Sequence, residues 1–136
     1  MLQQLRVSVL VLVAASGVAA RPRTPAGSSV RVSGTFSSLE YNDEGDDLLG
    51  MEVKIVPVVH GYQAAVFVSE GEPQALHVVE VLVSGRSVSF KVREDDGSSW
   101  AFQGTVSAQS LKGTITHSLG GHKTVTLPRR CGYWDR

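Results

Sequence analysis

The feature that most constrains the fold is an alternation of apolar and polar side chains with a period of two residues. The segment MEVKI, residues 51–55, shows it clearly, and residues 30–36 and 87–92 repeat it. A period of two places successive side chains on opposite faces of a strand. No window long enough for a core helix has apolar residues at i, i+3, i+4 and i+7. The sequence therefore predicts an all-β protein.

About eight such segments follow one another, separated by short turn signals that contain Gly, Ser, Asp or Pro. Short connections between sequential strands favour antiparallel neighbours. We therefore predict an antiparallel meander that closes into an up-and-down β-barrel, an arrangement that leaves no free sheet edge. A β-sandwich is the alternative.

Three segments, VSGTFS, FQGTVS and LKGTIT, share a Gly-Thr pair that places Gly34, Gly104 and Gly113 in the inward-facing register. A glycine inside a strand leaves room for a tight bend or for a large neighbouring side chain. Two interpretations follow. Either large aromatic side chains occupy this room and let a small barrel curve, or the glycines hollow out a ligand cavity.

The first 20 residues have the pattern of a secretory signal peptide. Arg6 precedes a short apolar run, and small residues end the segment at Ala19 and Ala20. The run is too short to cross a bilayer, so we expect no membrane span after cleavage. The predicted organisation is a signal peptide at 1–20, a flexible linker at 21–29 and one β-barrel domain at 30–136. This predicts a secreted or periplasmic protein.

The charge balance and the single cysteine limit the partners and the covalent links that the sequence allows. Without Arg6 the chain has 12 Lys and Arg against 13 Asp and Glu, so no basic surface for nucleic acid is expected. Cys131 has no second cysteine with which to form an internal disulfide. It is either buried and inert, or exposed and able to cross-link a partner.

An acidic segment, NDEGDD at residues 42–47, offers oxygen atoms that could bind calcium. Its spacing does not match an EF-hand loop, so we interpret it as a hairpin turn in which Gly45 supplies a positive φ. His117 and His122 flank the turn SLGG and would face each other in a four-residue hairpin, but two ligands do not complete a metal site. We predict no metal and no cofactor.

Enzyme motifs are absent from the sequence. It contains no nucleophile elbow, no Walker loop, no His-Glu-x-x-His and no dinucleotide fingerprint. We therefore predict a protein without catalytic residues. An active site assembled from distant strands would require a histidine within hydrogen-bond reach of a carboxylate or hydroxyl in a pocket.

The hairpin at residues 62–83 departs from the simple alternation because both of its faces are largely apolar. If one face lines the interior, something must cover the other. We assign Phe67, Leu76, Val78 and Leu82 to a candidate interface with a second copy or with another exported protein.

The chain ends with LPRRCGYWDR. Pro128 ends the last strand, and two large aromatic residues follow beside two arginines. We expect Tyr133 and Trp134 to fold back over an open end of the barrel, with Arg129 or Arg130 stacking on a ring or pairing with Asp135. The alternative is a recognition tail for a partner.

The segments EGDDLLGMEVKIV, SEGEP, FQGTVSAQSLKG and LPRRCGYWD together resemble a family of small secreted bacterial β-proteins with no assigned activity. In that family a Gly-Asp-x-x-Gly-x-Glu segment precedes the second strand and Arg-x-x-Ser-Tyr-Trp ends the chain. Here Gly132 stands at the expected Ser. The resemblance implies export and a β fold. The FxGxV strands also loosely resemble lipocalin and avidin barrels, which is an analogy of fold alone.

These observations favour an exported, non-enzymatic binding protein that holds a small apolar ligand inside a β-barrel. The alternative is a protein-interaction or homodimeric module that uses the outer face of the 62–83 hairpin. The predicted ligand-binding residues are the large apolar side chains expected to point inward: Phe36, Val66, Phe90, Trp100 and Phe102.

Overall fold

The computed structural model describes residues 29–132. The predicted signal peptide, residues 21–28 of the predicted linker, and Tyr133, Trp134 and Asp135 of the tail lie outside the described residues. The described part contains nine strands and no helix. The strands are β1 (Gly34–Ser37), β2 (Glu40–Asn42), β3 (Asp47–Val58), β4 (Gly61–Gly71), β5 (His77–Ser84), β6 (Ser87–Arg93), β7 (Ser99–Val106), β8 (Ser110–His117) and β9 (His122–Pro128).

The strands form one antiparallel meander in the order β1-β3-β4-β5-β6-β7-β8-β9, and the short β2 pairs with β3. Strands β9 and β1 meet through an isolated bridge between Phe36 and Arg129. Beside it, the Arg130 N–H donates to the Thr35 carbonyl at 3.1 Å. The sheet is thus a nearly closed barrel, which confirms the predicted all-β meander.

The core lies inside this barrel and is built from the alternate residues that the period-two pattern turns inward. On β3, Met51, Val53 and Ile55 are buried, while Lys54 between them is exposed. The same alternation continues on β6 and β7. Burial of this apolar surface is the main stabilising term of a chain with no disulfide among its described residues.

A pair of glycines makes room for the Phe102 ring in the core. Gly104 on β7 and Gly113 on β8 stand opposite each other in the ladder. A Cβ atom on Gly113 would lie 2.5 Å from the Phe102 ring, and one on Gly104 would lie 2.6 Å from it. The room left by these two glycines is therefore filled by Phe102, as the first of the two interpretations predicted.

Arg129, just after β9, lies at one end of the barrel. Its guanidinium lies over the Phe36 ring, 4.5 Å from the ring centroid. Its N–H groups donate to the carbonyls of Ser33 at 2.8 Å and Ser107 at 3.1 Å. The guanidinium also occupies the space next to Gly34, where any side chain would clash with it. The ring on which Arg129 stacks belongs to β1, and the expected packing of Tyr133 and Trp134 lies outside the described residues.

The acidic segment forms a turn, as predicted, but its backbone geometry differs from the prediction. Asn42 pairs with Asp47 across the β2–β3 hairpin. The residue with the left-handed φ is Asp46, at 56°, and not Gly45. Asp and Asn adopt this conformation more readily than most residues because their short side chains can form local hydrogen bonds. The Tyr41 hydroxyl donates such a bond to the Asp46 carboxylate.

Candidate functional site

The end of the barrel opposite Arg129 contains a cavity of about 970 Å³. It lies among the start of β3, the end of β4, the β6–β7 turn, the end of β8 and the strand β9. The lining residues are Ser38, Leu49, Gly50, Met51, Val68, Ser69, Glu70, Gln74, Ala75, Glu94, Asp95, Asp96, Ser98, Trp100, Ile115, His117, Lys123, Thr124, Val125, Thr126 and Leu127.

The deep part of this cavity is apolar. Met51, Trp100, Ile115 and Leu127 line it and are each less than 10% exposed to solvent. They are inward-facing residues of β3, β7, β8 and β9, so the alternation that builds the core also builds this surface. We call these four residues the cavity floor.

The mouth of the cavity carries most of its charge. Four carboxylates, those of Glu70, Glu94, Asp95 and Asp96, line it together with one lysine, Lys123. Over the whole chain the 13 acidic residues are balanced by 13 Lys and Arg. The excess of negative charge is therefore a local property of the mouth.

Glu94 links the floor to the rim. Its Oε1 atom accepts a hydrogen bond from the Trp100 indole N–H at 2.7 Å, and its Oε2 atom lies 3.2 Å from His77 Nε2. His77 begins β5, whereas Glu94 follows β6. The β5–β6 ladder ends at Leu82 and Ser89, so this contact joins the two strands beyond their backbone pairing.

This contact is the kind of histidine–carboxylate approach that an enzyme would require. Both oxygen atoms of the Glu94 carboxylate are engaged by protein groups, one by the Trp100 N–H and one by His77. No hydrogen bond between residues 29–132 joins His77 to a Ser or Thr hydroxyl that could act as a nucleophile. The arrangement fixes the orientation of Glu94 and of the Trp100 ring.

Asp96 is held in its ionised form by the turn in which it lies. Its Oδ1 atom accepts hydrogen bonds from the Ser98 hydroxyl at 2.6 Å and from the Ser98 N–H at 2.8 Å. These bonds favour the carboxylate and lower the pKa of Asp96 below its usual 3.8. Asp96 is therefore negatively charged throughout the neutral pH range.

Ser69 differs from every other polar group on the cavity wall. It is 1% exposed, yet its Oγ atom has no hydrogen-bond partner among residues 29–132. It lies near the end of β4, opposite Gly50, and borders the cavity, but the alternation along β4 directs its side chain to the face opposite that of Val68 and Glu70. A buried hydroxyl without a partner is energetically unfavourable. In the sequence Ser69 only begins the turn-like segment SEGEP, where nothing distinguishes it from an exposed serine.

The five predicted ligand-binding residues are all buried in the core, but they do not surround the cavity. Phe90 stacks on Phe102 with centroids 5.0 Å apart and meets Trp100 edge-on at 6.0 Å. Of the five, Trp100 lines the cavity, whereas Phe36, Val66, Phe90 and Phe102 do not. The aromatic cluster therefore fills the middle of the barrel, and the open space lies beyond it.

The residues predicted to form a partner interface lie on or beside the outer face of β4 and β5. Leu76, Val78 and Leu82 are 62%, 66% and 66% exposed, respectively. Phe67 is half-buried and is in contact with other groups. Three large apolar side chains of this hairpin are thus open to solvent.

The two histidines near the last hairpin do not face each other. The β8–β9 register pairs His122 with Thr116, and the His117 N–H donates to the Gly121 carbonyl at 3.1 Å. This offset of one residue directs the two side chains to opposite faces of the sheet. The expected juxtaposition is wrong, and His117 alone lines the cavity.

The remaining expectations concern metal binding, the membrane and the single cysteine. Residues 29–132 hold no cluster of three or more His, Cys, Asp or Glu side chains arranged around a metal position. The same range contains no helix long and apolar enough to cross a membrane. Cys131 is exposed, so its interpretation as a buried, inert thiol is wrong.

Comparison with known proteins gives no match, so the proposal for a function starts from the fold and the cavity. No family model matches the sequence, and no curated protein or solved structure matches it either.

Proposed function

We propose that this chain is an exported, non-enzymatic binding protein that holds a small, largely apolar ligand in the cavity opposite Arg129. The observation that carries the proposal is the cavity itself, about 970 Å³ in volume and open to solvent at the end of the barrel opposite Arg129. Ligand sites in proteins are commonly clefts of roughly 300–1,000 Å³ with a mainly apolar lining.

In this proposal the apolar part of the ligand lies on the cavity floor. Trp100 contacts it directly, and its ring is held in place by the Glu94 hydrogen bond below the mouth. Phe90 and Phe102 support Trp100 from the core side. A rigid wall of this kind binds with a small loss of conformational entropy because few of its side chains must be immobilised.

The test uses a neutral, apolar fluorescent probe, N-phenyl-1-naphthylamine, with protein produced from the full coding sequence. Val125 is half-buried and lines the cavity, so Val125→Trp should fill part of the space and abolish the fluorescence rise. The control is Val59→Trp, because Val59 is 91% exposed in the β3–β4 turn and does not line the cavity. Equal fluorescence from both variants and the wild type would contradict the proposal.

A second candidate function is a homodimer formed through the outer face of β4 and β5. The observation that favours it is the exposure of Leu76, Val78 and Leu82. Several exposed apolar side chains on one sheet face commonly mark an interaction site.

Charge complementarity favours a second copy as the partner on this face. Lys54 on β3 pairs with Ala65 on β4, and Ala65 pairs with Val78 on β5. Glu80 lies two residues after Val78 on the same face of β5. Lys54 and Glu80 are both exposed on this face, Lys54 on β3 and Glu80 on β5 between Val78 and Leu82. A two-fold axis through this face can therefore bring each lysine to the glutamate of the other copy.

Sedimentation velocity at high micromolar concentration tests this second function. The wild type should sediment as a dimer, and Val78→Lys should sediment as a monomer because it places a charge in the apolar contact. The control Val59→Lys adds the same charge at the end of the barrel opposite the cavity and should remain dimeric. A strictly monomeric wild type would rule out the homodimer.

A further inference from the structure

We infer that the free backbone edge of β9 binds an extended peptide of another protein, which adds a strand to the sheet and carries a basic side chain where it reaches the cavity mouth. Because it uses backbone groups of β9, this binding goes beyond the proposed function and requires no small ligand in the cavity.

The topology leaves one edge of β9 unpaired. Strand β9 is the last strand in the sheet order, and it meets β1 only at its end, through the bridge between Phe36 and Arg129. Within residues 29–132, β8 is the only strand whose ladder includes β9. The edge of β9 that faces away from β8 is therefore open ahead of that bridge.

The ladder with β8 shows which backbone groups point to the open edge. The Arg129 N–H donates to the Gln109 carbonyl at 2.7 Å, on the β8 side. Residues of an antiparallel strand alternate in the direction of their N–H and C=O groups, so Val125 also bonds to β8. The backbone groups of Thr124 and Thr126 therefore point away from β8. Both threonines are exposed, and no hydrogen bond within residues 29–132 engages their backbone on that side.

The cavity reaches this open edge. Five consecutive residues of β9, 123–127, line it, although the side chains of a strand point alternately to its two faces. A cavity that touched only the inner face would be lined by alternate residues. Ser38, which follows β1, and Gly50 of β3 line it as well. The cavity thus opens between the two edges of the sheet, where a single extended chain can lie against β9.

The borders of the edge favour a peptide over the sheet of a second copy. Lys123 and Pro128 flank the free stretch, and both residue types discourage pairing between the sheets of two molecules. A second copy would also bring its β8 alongside its β9, so it could not enter a gap bounded by Ser38 and Gly50. Strand addition by a peptide requires the backbone groups of one segment alone.

Charge complementarity indicates the composition of the peptide. Glu70, Glu94, Asp95 and Asp96 line the mouth with one lysine, Lys123. A strand added to β9 has one end at this mouth, because β9 begins beside the end of β8. A basic side chain is favoured at that end, and an acidic one is disfavoured. Apolar side chains at alternate positions of the peptide would face the cavity floor.

The experiment uses a rhodamine-labelled probe peptide that alternates Val and Thr and has a Lys at each end. It is titrated with protein produced from the full coding sequence, and fluorescence anisotropy reports binding. Thr126→Pro should weaken binding by roughly tenfold, because it removes an N–H that points to the open edge while the bonds to β8 remain. The control Thr126→Val changes the same side chain, keeps the N–H and should bind as the wild type does.

A second peptide tests the preference for basic side chains. It has Glu in place of both Lys residues and is otherwise identical to the probe. At low ionic strength it should bind about two- to fivefold more weakly than the Lys peptide, and added salt should reduce the difference.

Methylated peptides test the strand geometry on the wild-type protein, so this result does not depend on the folding of Thr126→Pro. One peptide carries N-methyl groups on its Val residues and the other on its Thr residues. These two sets of N–H groups lie on opposite edges of an extended chain. Methylation of the set that faces β9 should abolish binding, and methylation of the other set should preserve it.

Amide hydrogen exchange provides a readout at the edge itself. The Thr124 and Thr126 N–H groups should exchange rapidly in the free protein and at least about tenfold more slowly in the complex. The Val125 N–H, which already bonds to β8, should exchange slowly in both.

Several results would overturn the inference. They are failure of the Lys peptide to bind, equal binding by Thr126→Pro and the wild type, equal binding of the parent peptide and both methylated peptides, and unchanged exchange at Thr124 and Thr126. If these two N–H groups are already protected in a dimeric wild type, the edge pairs with a second copy and the peptide partner is wrong. None of these results decides whether the neutral probe binds in the cavity, so the peptide site and the proposed function can fail separately.

Discussion

At the scale of single residues, two buried serines of β1 and β4 have opposite environments. Ser37 and Ser69 are each 1% exposed. The Ser37 Oγ atom accepts a hydrogen bond from the buried Leu39 N–H at 3.3 Å, whereas the Ser69 Oγ atom has no partner among residues 29–132. The same side chain is thus stabilising at one position and unfavourable at the other.

This contrast predicts stability changes of opposite sign. Ser69→Ala should raise the free energy of unfolding of the ligand-free protein by about 1 kcal/mol, because it removes a buried, unsatisfied hydroxyl. Ser37→Ala should lower it by about 1–2 kcal/mol, because the Leu39 N–H loses its acceptor. Urea denaturation of both variants measures the two changes. A loss of stability in Ser69→Ala would show that its hydroxyl is satisfied in the folded protein.

Arg129 gives a second prediction at this scale. Lysine cannot reproduce both the stacking on Phe36 and the hydrogen bonds of a planar guanidinium. Arg129→Lys should therefore lower the free energy of unfolding by about 2–4 kcal/mol. The control Arg93→Lys alters an exposed side chain at the end of β6 and should change stability by less than about 0.5 kcal/mol. Similar losses in the two variants would contradict this role of Arg129.

Individual residues were the hardest part of the structure to predict from the sequence. The left-handed φ at Asp46, where Gly45 was expected, depends on where β2 and β3 stop pairing, which composition does not specify. The relation between His117 and His122 depended on a register offset of one residue. Such an offset reverses the face of every side chain it affects.

At the scale of elements, the strands themselves were predictable because their inward residues are apolar and their outward residues are polar. The Gly-Thr pairs of β7 and β8 also indicated a structural feature correctly, since Phe102 occupies the room left by Gly104 and Gly113. The unpaired stretch between β5 and β6 was not predictable. It is held by the contact between His77 and Glu94, and the sequence does not show which residues of distant segments will meet.

The packing of β7 on β8 gives the prediction at this scale. Gly113→Ala should lower the free energy of unfolding by about 2–3 kcal/mol, because the added methyl group meets the Gln103 carbonyl of β7 and the Phe102 ring. Gly85→Ala is the matched control. It has open space around it, but its φ is 60°, so it should cost only about 1 kcal/mol. Thermal unfolding of the pair measures the difference, and an equal loss would show that the β7–β8 contact is loosely packed.

At the scale of the whole molecule, the barrel was predictable and the position of its cavity was not. The predicted ligand site assumed that inward aromatic residues surround an open space, whereas Phe90 and Phe102 stack on each other and fill the barrel. The cavity depends on how the β4–β5 loop, the β6–β7 turn and β9 diverge beyond Trp100. Loop positions of this kind are set by the tertiary fold and leave no periodic pattern in the sequence.

The central claim is that the open end of this barrel holds a ligand, and native mass spectrometry tests it most directly. The full coding sequence is expressed in its own host, and the protein is purified gently with reductant present. The account predicts a reproducible extra mass on the wild type and on Val59→Trp that is lost from Val125→Trp. A bare wild-type protein, or an extra mass that survives Val125→Trp, would contradict it.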